Sequence, residues 1–100
     1  MKILALERKI EGVKWDNTEK LLEQESRHVF HLYLSDCLRE IYFTEDKHAV
    51  LIMETENRDA AKKLLDALPL VKSGMIKFDI MELRPYTGYE RIITTDILNS

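Results

Sequence analysis

The chain is poor in the residues that staple, hinge or cradle. Among 100 residues there are one cysteine, two prolines and three glycines. The single thiol, Cys37, excludes an intrachain disulfide and points to a reducing compartment, with core filling as its ordinary use. Three glycines leave no material for a Gly-rich phosphate loop. No nucleophile elbow or zinc-finger spacing occurs either, so phosphoryl and acyl transfer are set aside. No apolar run approaches the roughly 20 residues that span a bilayer. The opening "MKILALERKI" lacks the long apolar core and small-residue cleavage site of a signal peptide, so the expected location is the cytoplasm. Positive charge is no more abundant: 15 basic residues are interspersed among 18 acidic ones, for a net charge of −3. That distribution gives no reason to expect nucleic acid, which wants clustered Lys and Arg.

What is there is enough for one folded domain. Hydrophobic residues are 45% and charged residues 33% of the chain, which argues against disorder. We read residues 1–100 as a single domain, with a core over about 2–85 and a tail over about 86–100. "KILALER", residues 2–8, suits a central strand. Gly12 and the Asp16–Asn17 pair break it. From Thr18 to about Asp36, Leu22, Ser26, Val29, Phe30, Tyr33 and Cys37 fall on one helical stripe at steps of three and four. "NRDAAKKLLDAL" predicts a second helix, capped by Asn57 and stopped by Pro69. "LVKSG" then reads as a loop. "MIKFDIMEL", residues 75–83, alternates Ile76, Phe78 and Ile80 against Lys77, Asp79 and Met81 as a last strand. The tail "YERIITTDILNS" has room for a short helical turn.

Between the helices, "LREIYFTEDKHAVLIMETE", residues 38–56, predicts a hairpin with "TEDK" as its turn. Pairing Phe43 with His48 places Arg39, Ile41, Phe43, His48, Val50 and Ile52 on one face. Leu38, Glu40, Tyr42, Ala49, Leu51 and Met53 then share the other. The order β-α-β-β-α-β is that of an α+β, ferredoxin-like fold, with two helices on one face of a four-stranded antiparallel sheet. The second sheet face would be left bare, yet the hairpin is apolar on both faces. The simplest cover for it is a second copy of the chain, packed sheet to sheet as a homodimer.

Several segments resemble a known group. The hairpin, the "LPL" at residues 68–70, the strand "MIKFDIMEL" behind it, and the Arg39-bearing strand with Tyr42 are similar to the muconolactone isomerase-like branch of the dimeric α/β-barrel superfamily. The likeness covers most of residues 2–85. It implies a ferredoxin-like subunit that dimerises through its sheet, sometimes assembling further, and a small-molecule pocket between sheet and helices. It also implies cofactor-free proton transfer on a small hydrophobic carboxylate or lactone. Cofactor-independent oxygenases and non-catalytic binding or structural barrels share the fold and stand as alternatives.

On that resemblance Glu25 and Arg39 match polar positions near the pocket. A partly desolvated carboxylate becomes a usable base near neutral pH, and a guanidinium clamps a substrate carboxylate through two parallel hydrogen bonds. The structural alternative is an ion pair of Arg39 with Glu25, Glu54 or Glu7. His48 is a further acid–base candidate, with Tyr33 and Tyr42 as ligand contacts. The expected catalytic set is therefore Glu25, Arg39 and His48, and the substrate-binding set Arg39, Tyr33 and Tyr42. Glu25 and His28 have a Glu-x-x-His spacing and His31 follows, but one such motif falls short of a carboxylate di-metal site. A haem ligand would have to face inward, which neither histidine does on this wheel. No metal and no cofactor are expected.

Overall fold

The structure is a computed structural model that describes residues 1–93. Its elements run β1 (Lys2–Lys9), α1 (Glu19–Leu34), β2 (Leu38–Phe43), β3 (Ala49–Glu54), α2 (Arg58–Asp66), α3 (Pro69–Lys72) and β4 (Ile76–Leu83), and a 3-10 turn at Gly88–Arg91 follows. The four strands form one antiparallel sheet in the order β2-β3-β1-β4. This is the ferredoxin-like α+β fold. The expected short helical turn of the tail corresponds to Gly88–Arg91, and the rest of that tail, residues 94–100, lies outside the described residues.

Strand parity sorts the two faces of the sheet. Ile3 and Ala5 of β1 pair with Met53 and Leu51 of β3. All four side chains are buried, together with Leu32 of α1, Ala61 and Leu65 of α2, and Leu68. A second cluster joins Leu70, Met75 and Ile76, with Val13, Trp15 and Leu21 packed against it. Both clusters lie on the face that the helices cover. On the other face Leu4, Leu6, Val50 and Ile52 are partly exposed and belong to neither cluster.

Local chemistry explains where the helices start and stop. Asn57 is extended, and its side chain accepts a hydrogen bond from the Ala60 amide at 2.7 Å, which caps α2. After α1, Asp36 turns left-handed at φ 64°. The amides of Asp36 and Cys37 then return to the carbonyls of Tyr33 and Leu32, the paired bonds of a Schellman ending. The segment after Pro69 is a correction to the expected loop. Pro69 opens the four-residue helix α3 at its first position, where a fixed φ and a missing N–H do no harm. Gly74, at φ 77°, closes α3 with the same pair of bonds, from Gly74 to Val71 and from Met75 to Leu70.

The hairpin register is a second correction. Phe43 pairs with Ala49, Tyr42 with Val50 and Ile41 with Leu51, one residue away from the expected pairing. The loop is three residues, Glu45 to Lys47, with Lys47 left-handed at φ 61°. Thr44 closes it, its amide donating to the His48 carbonyl at 2.8 Å. A one-residue slip exchanges the faces of a strand. Ile41 and Phe43 therefore share the helix-covered face with Ala49 and Leu51, whereas Tyr42 lies with Val50 and Ile52 on the open one. A bulge between Leu38 and Glu40 takes Arg39 out of the regular alternation.

Candidate functional site

Helix α1 meets the rest of the layer through Leu21, Glu25, Val29 and Leu32. Leu21 packs on the Leu70–Met75–Ile76 cluster, and Val29 and Leu32 join the main core. Along these contacts the helix borders a cavity of about 530 Å³ over the sheet. The volume lies within the range of small-ligand pockets. Its walls are mostly apolar: Val29, Leu38, Leu51, Leu68 and Phe78 among others. Its mouth opens toward the β2 edge, where Phe30 and Tyr33 are each 57% exposed and Phe43 is 75% exposed. The rings of Phe30 and Tyr33 stack there with centroids 6.4 Å apart.

Two carboxylates face this apolar space. Glu25, half-buried on α1, accepts a hydrogen bond from the Leu70 amide at 3.0 Å. Its pKa is raised above the ordinary 4.5, chiefly because burial penalises the charged form. The Leu70 amide and His28 oppose that rise, and the charge of Glu7 adds to it. Glu7 is the only buried charged side chain among the described residues, 7% exposed. The β1–β3 pairing ends at Leu6–Val50, and one rung further the Glu7 side chain accepts the Ala49 amide at 3.1 Å. The basic groups on the lining, Lys9 and Lys47, are both exposed at the surface. Lys9 holds its ammonium 6.0 Å from the centre of the Trp15 ring, a cation–π distance.

Of the residues expected at a site, the cavity brings together Glu25 and Tyr33. Arg39, His48 and Tyr42 do not line it. Arg39 is exposed, and its Nε donates to the Asp36 carbonyl at 2.9 Å, so it braces the end of α1 beside the bulge. None of the expected carboxylate partners of Arg39 is engaged with it. Glu54 instead binds the N-terminal amine at 3.1 Å. Tyr42, on the open sheet face, donates its hydroxyl to Glu40 at 2.7 Å, and that bond holds the phenol above its usual pKa. His48 is half-buried beside the hairpin loop, its amide donating to the Thr44 hydroxyl at 3.1 Å.

Glu7 is the site residue that the sequence reading passed over except as an ion-pair partner. The signal was present: in "KILALER", Ile3, Ala5 and Glu7 share one parity, so a carboxylate stands on the core-facing side of a central strand. Trp15, in the loop between β1 and α1, packs into the second cluster and onto the cavity wall.

Neither a protein-family profile nor a curated protein sequence matches the chain. Among solved structures, the chain is similar to the 5-chloro-2-hydroxyhydroquinone dehydrochlorinase of Burkholderia phenoliruptrix AC1100, determined in complex with 2,5-dihydroxybenzoquinone. The TM-score is 0.60 at 17% identity, over 88% of this chain and 98% of that one. At that identity the likeness establishes the fold. Among the described residues no helix is long and apolar enough to cross a membrane.

Proposed function

We propose that the protein binds a small, largely apolar cyclic molecule under α1 and moves a proton on it without a cofactor, as an isomerase would. The observation that carries this reading is Glu25, a carboxylate of raised pKa on the wall of an apolar, ligand-sized cavity. Such a group can take a proton from carbon next to a carbonyl or lactone and return it to the far end of the conjugated system. Tyr33, at the mouth, is placed to contact the ligand ring. The solved neighbour of the same fold, with a quinone bound, supports a small-molecule role for the scaffold. The guanidinium clamp expected from Arg39 has no place in this version of the site, since Arg39 lies outside the cavity.

The reading includes a homodimer through the open sheet face. Leu4, Leu6, Val50 and Ile52 form its apolar centre, bordered by Tyr42 and by the Arg8–Asp79 ion pair. A second copy offers the same apolar centre in return.

The test is solvent-deuterium exchange into a panel of cyclic enolisable ketones and unsaturated lactones, followed by proton NMR. Wild-type protein should catalyse exchange, and Glu25→Gln should slow it by about 10²–10⁴-fold. Binding without exchange would leave a binding barrel and remove the isomerase reading. Ile52→Glu should convert a dimer to a monomer in sedimentation, and a wild-type monomer would remove the dimer.

A further inference from the structure

The geometry points to Glu7 as the residue that selects the ligand, and to a neutral ring bearing hydroxyl or N–H donors as the ligand class. The inference rests on the small-molecule reading of the cavity and specifies its chemistry. An ionised carboxylate side chain is an acceptor only, with two oxygens and about four lone-pair directions. One Glu7 oxygen is taken by the Ala49 amide. The other has no hydrogen-bond partner among the described residues, yet no buried polar side-chain atom there is left unpartnered. That second oxygen is therefore accessible, and Glu7 lines the cavity. A side chain this buried has little to meet except an occupant of the cavity.

The rest of the wall agrees. Glu25 adds a second acceptor, and most of the other lining residues are apolar. The donors able to hold an anion are either off the lining or on its solvent-exposed part. Arg39 is braced against Asp36 outside the cavity, and Lys9 and Lys47 are exposed at its surface, Lys9 above Trp15. A ligand carboxylate pushed inward would meet two protein carboxylates in a low-dielectric space, a costly encounter. A ring hydroxyl would donate to the free Glu7 oxygen instead, a hydrogen bond to a charged acceptor and so among the stronger kinds. The site rejects by repulsion what it does not bind by complementarity.

The test compares resorcinol with benzoate, rings of similar size that differ in donors and charge, by calorimetry on the full chain and by amide shifts of Ala49 and Leu70. Resorcinol should bind at least about tenfold more tightly than benzoate and should move the Ala49 amide. Glu7→Gln keeps a carbonyl for the Ala49 amide and turns an NH₂ to the cavity. That variant should weaken resorcinol about tenfold and strengthen benzoate, with Leu70 shifts retained. Benzoate binding as tightly as resorcinol, or an unchanged ratio in folded Glu7→Gln, would overturn the inference and leave the cavity reading standing. If neither ring binds, both fall. Should Glu7→Gln fail to fold, the wild-type ratio decides by itself.

Discussion

The two halves of the helix-covered layer are closed to different degrees. Over β1 and β3, the helices α2 and α3 with the end of α1 seal Ile3, Ala5, Met53 and Leu65 almost completely from water. Toward β2, the same layer leaves Phe30, Tyr33, Ile41 and Phe43 exposed around a cavity. Apolar content does not separate the halves. What differs is how the helices meet the sheet. Asn57 caps α2 and Pro69 opens α3 over the sealed core, whereas α1 borders the cavity from Leu22 to Tyr33. Close packing supplies stability on one side. Its absence on the other leaves space in which desolvation of the Glu25 carboxylate outweighs the opposing pull of the Leu70 amide and His28.

Substitutions should break this comparison in a definite order. The largest effect is expected from Met53→Ala, in the sealed half, which should cost roughly 2–5 kcal/mol in denaturant unfolding. Phe43→Ala, on the same sheet face at the open edge, should cost only about 0.5 kcal/mol. Equal losses would show that the edge is packed after all. Asn57→Ala should cost about 1 kcal/mol by removing the α2 cap.

The smallest effect concerns pH. The raised pKa of Glu25 means that its protonated form is favoured by folding. Its contribution to stability is full below the ordinary 4.5 and is lost as pH rises through the raised value in the fold. Glu25→Gln retains an acceptor for Leu70 but cannot ionise. The stability difference, variant minus wild type, should therefore grow in the variant's favour as pH climbs through that window. A difference that shrinks with pH would mean the carboxylate is stabilised as an anion.

The fold was legible because its signals are periodic. The α1 stripe from Leu22 to Tyr33, the Asn57 cap and the alternation of Ile76, Phe78 and Ile80 each declare an element and its inward face. The site was half legible. Tyr33 sits on that stripe and Glu25 at its edge, where the resemblance singled it out. Arg39, Tyr42 and His48 depended on hairpin register, which a three-residue loop and a bulge set without a strong local signal. Neither Asn-Gly nor Asp-Gly marks that turn, and Lys47 takes the left-handed position usually given to glycine. Alternation in "LREIYF" then carried the wrong parity across the hairpin. Glu7 was missed for another reason: a charge near a strand end reads as solvated unless its parity is followed.

The most direct measurement is a site-resolved carbon-13 titration of the Glu25 carboxyl, in the free protein and with resorcinol bound. A midpoint above 4.5 is expected in the free protein, with a further upward displacement when a neutral ring excludes water from the cavity. A free midpoint at or below 4.5, unmoved by the ring, would contradict this expectation.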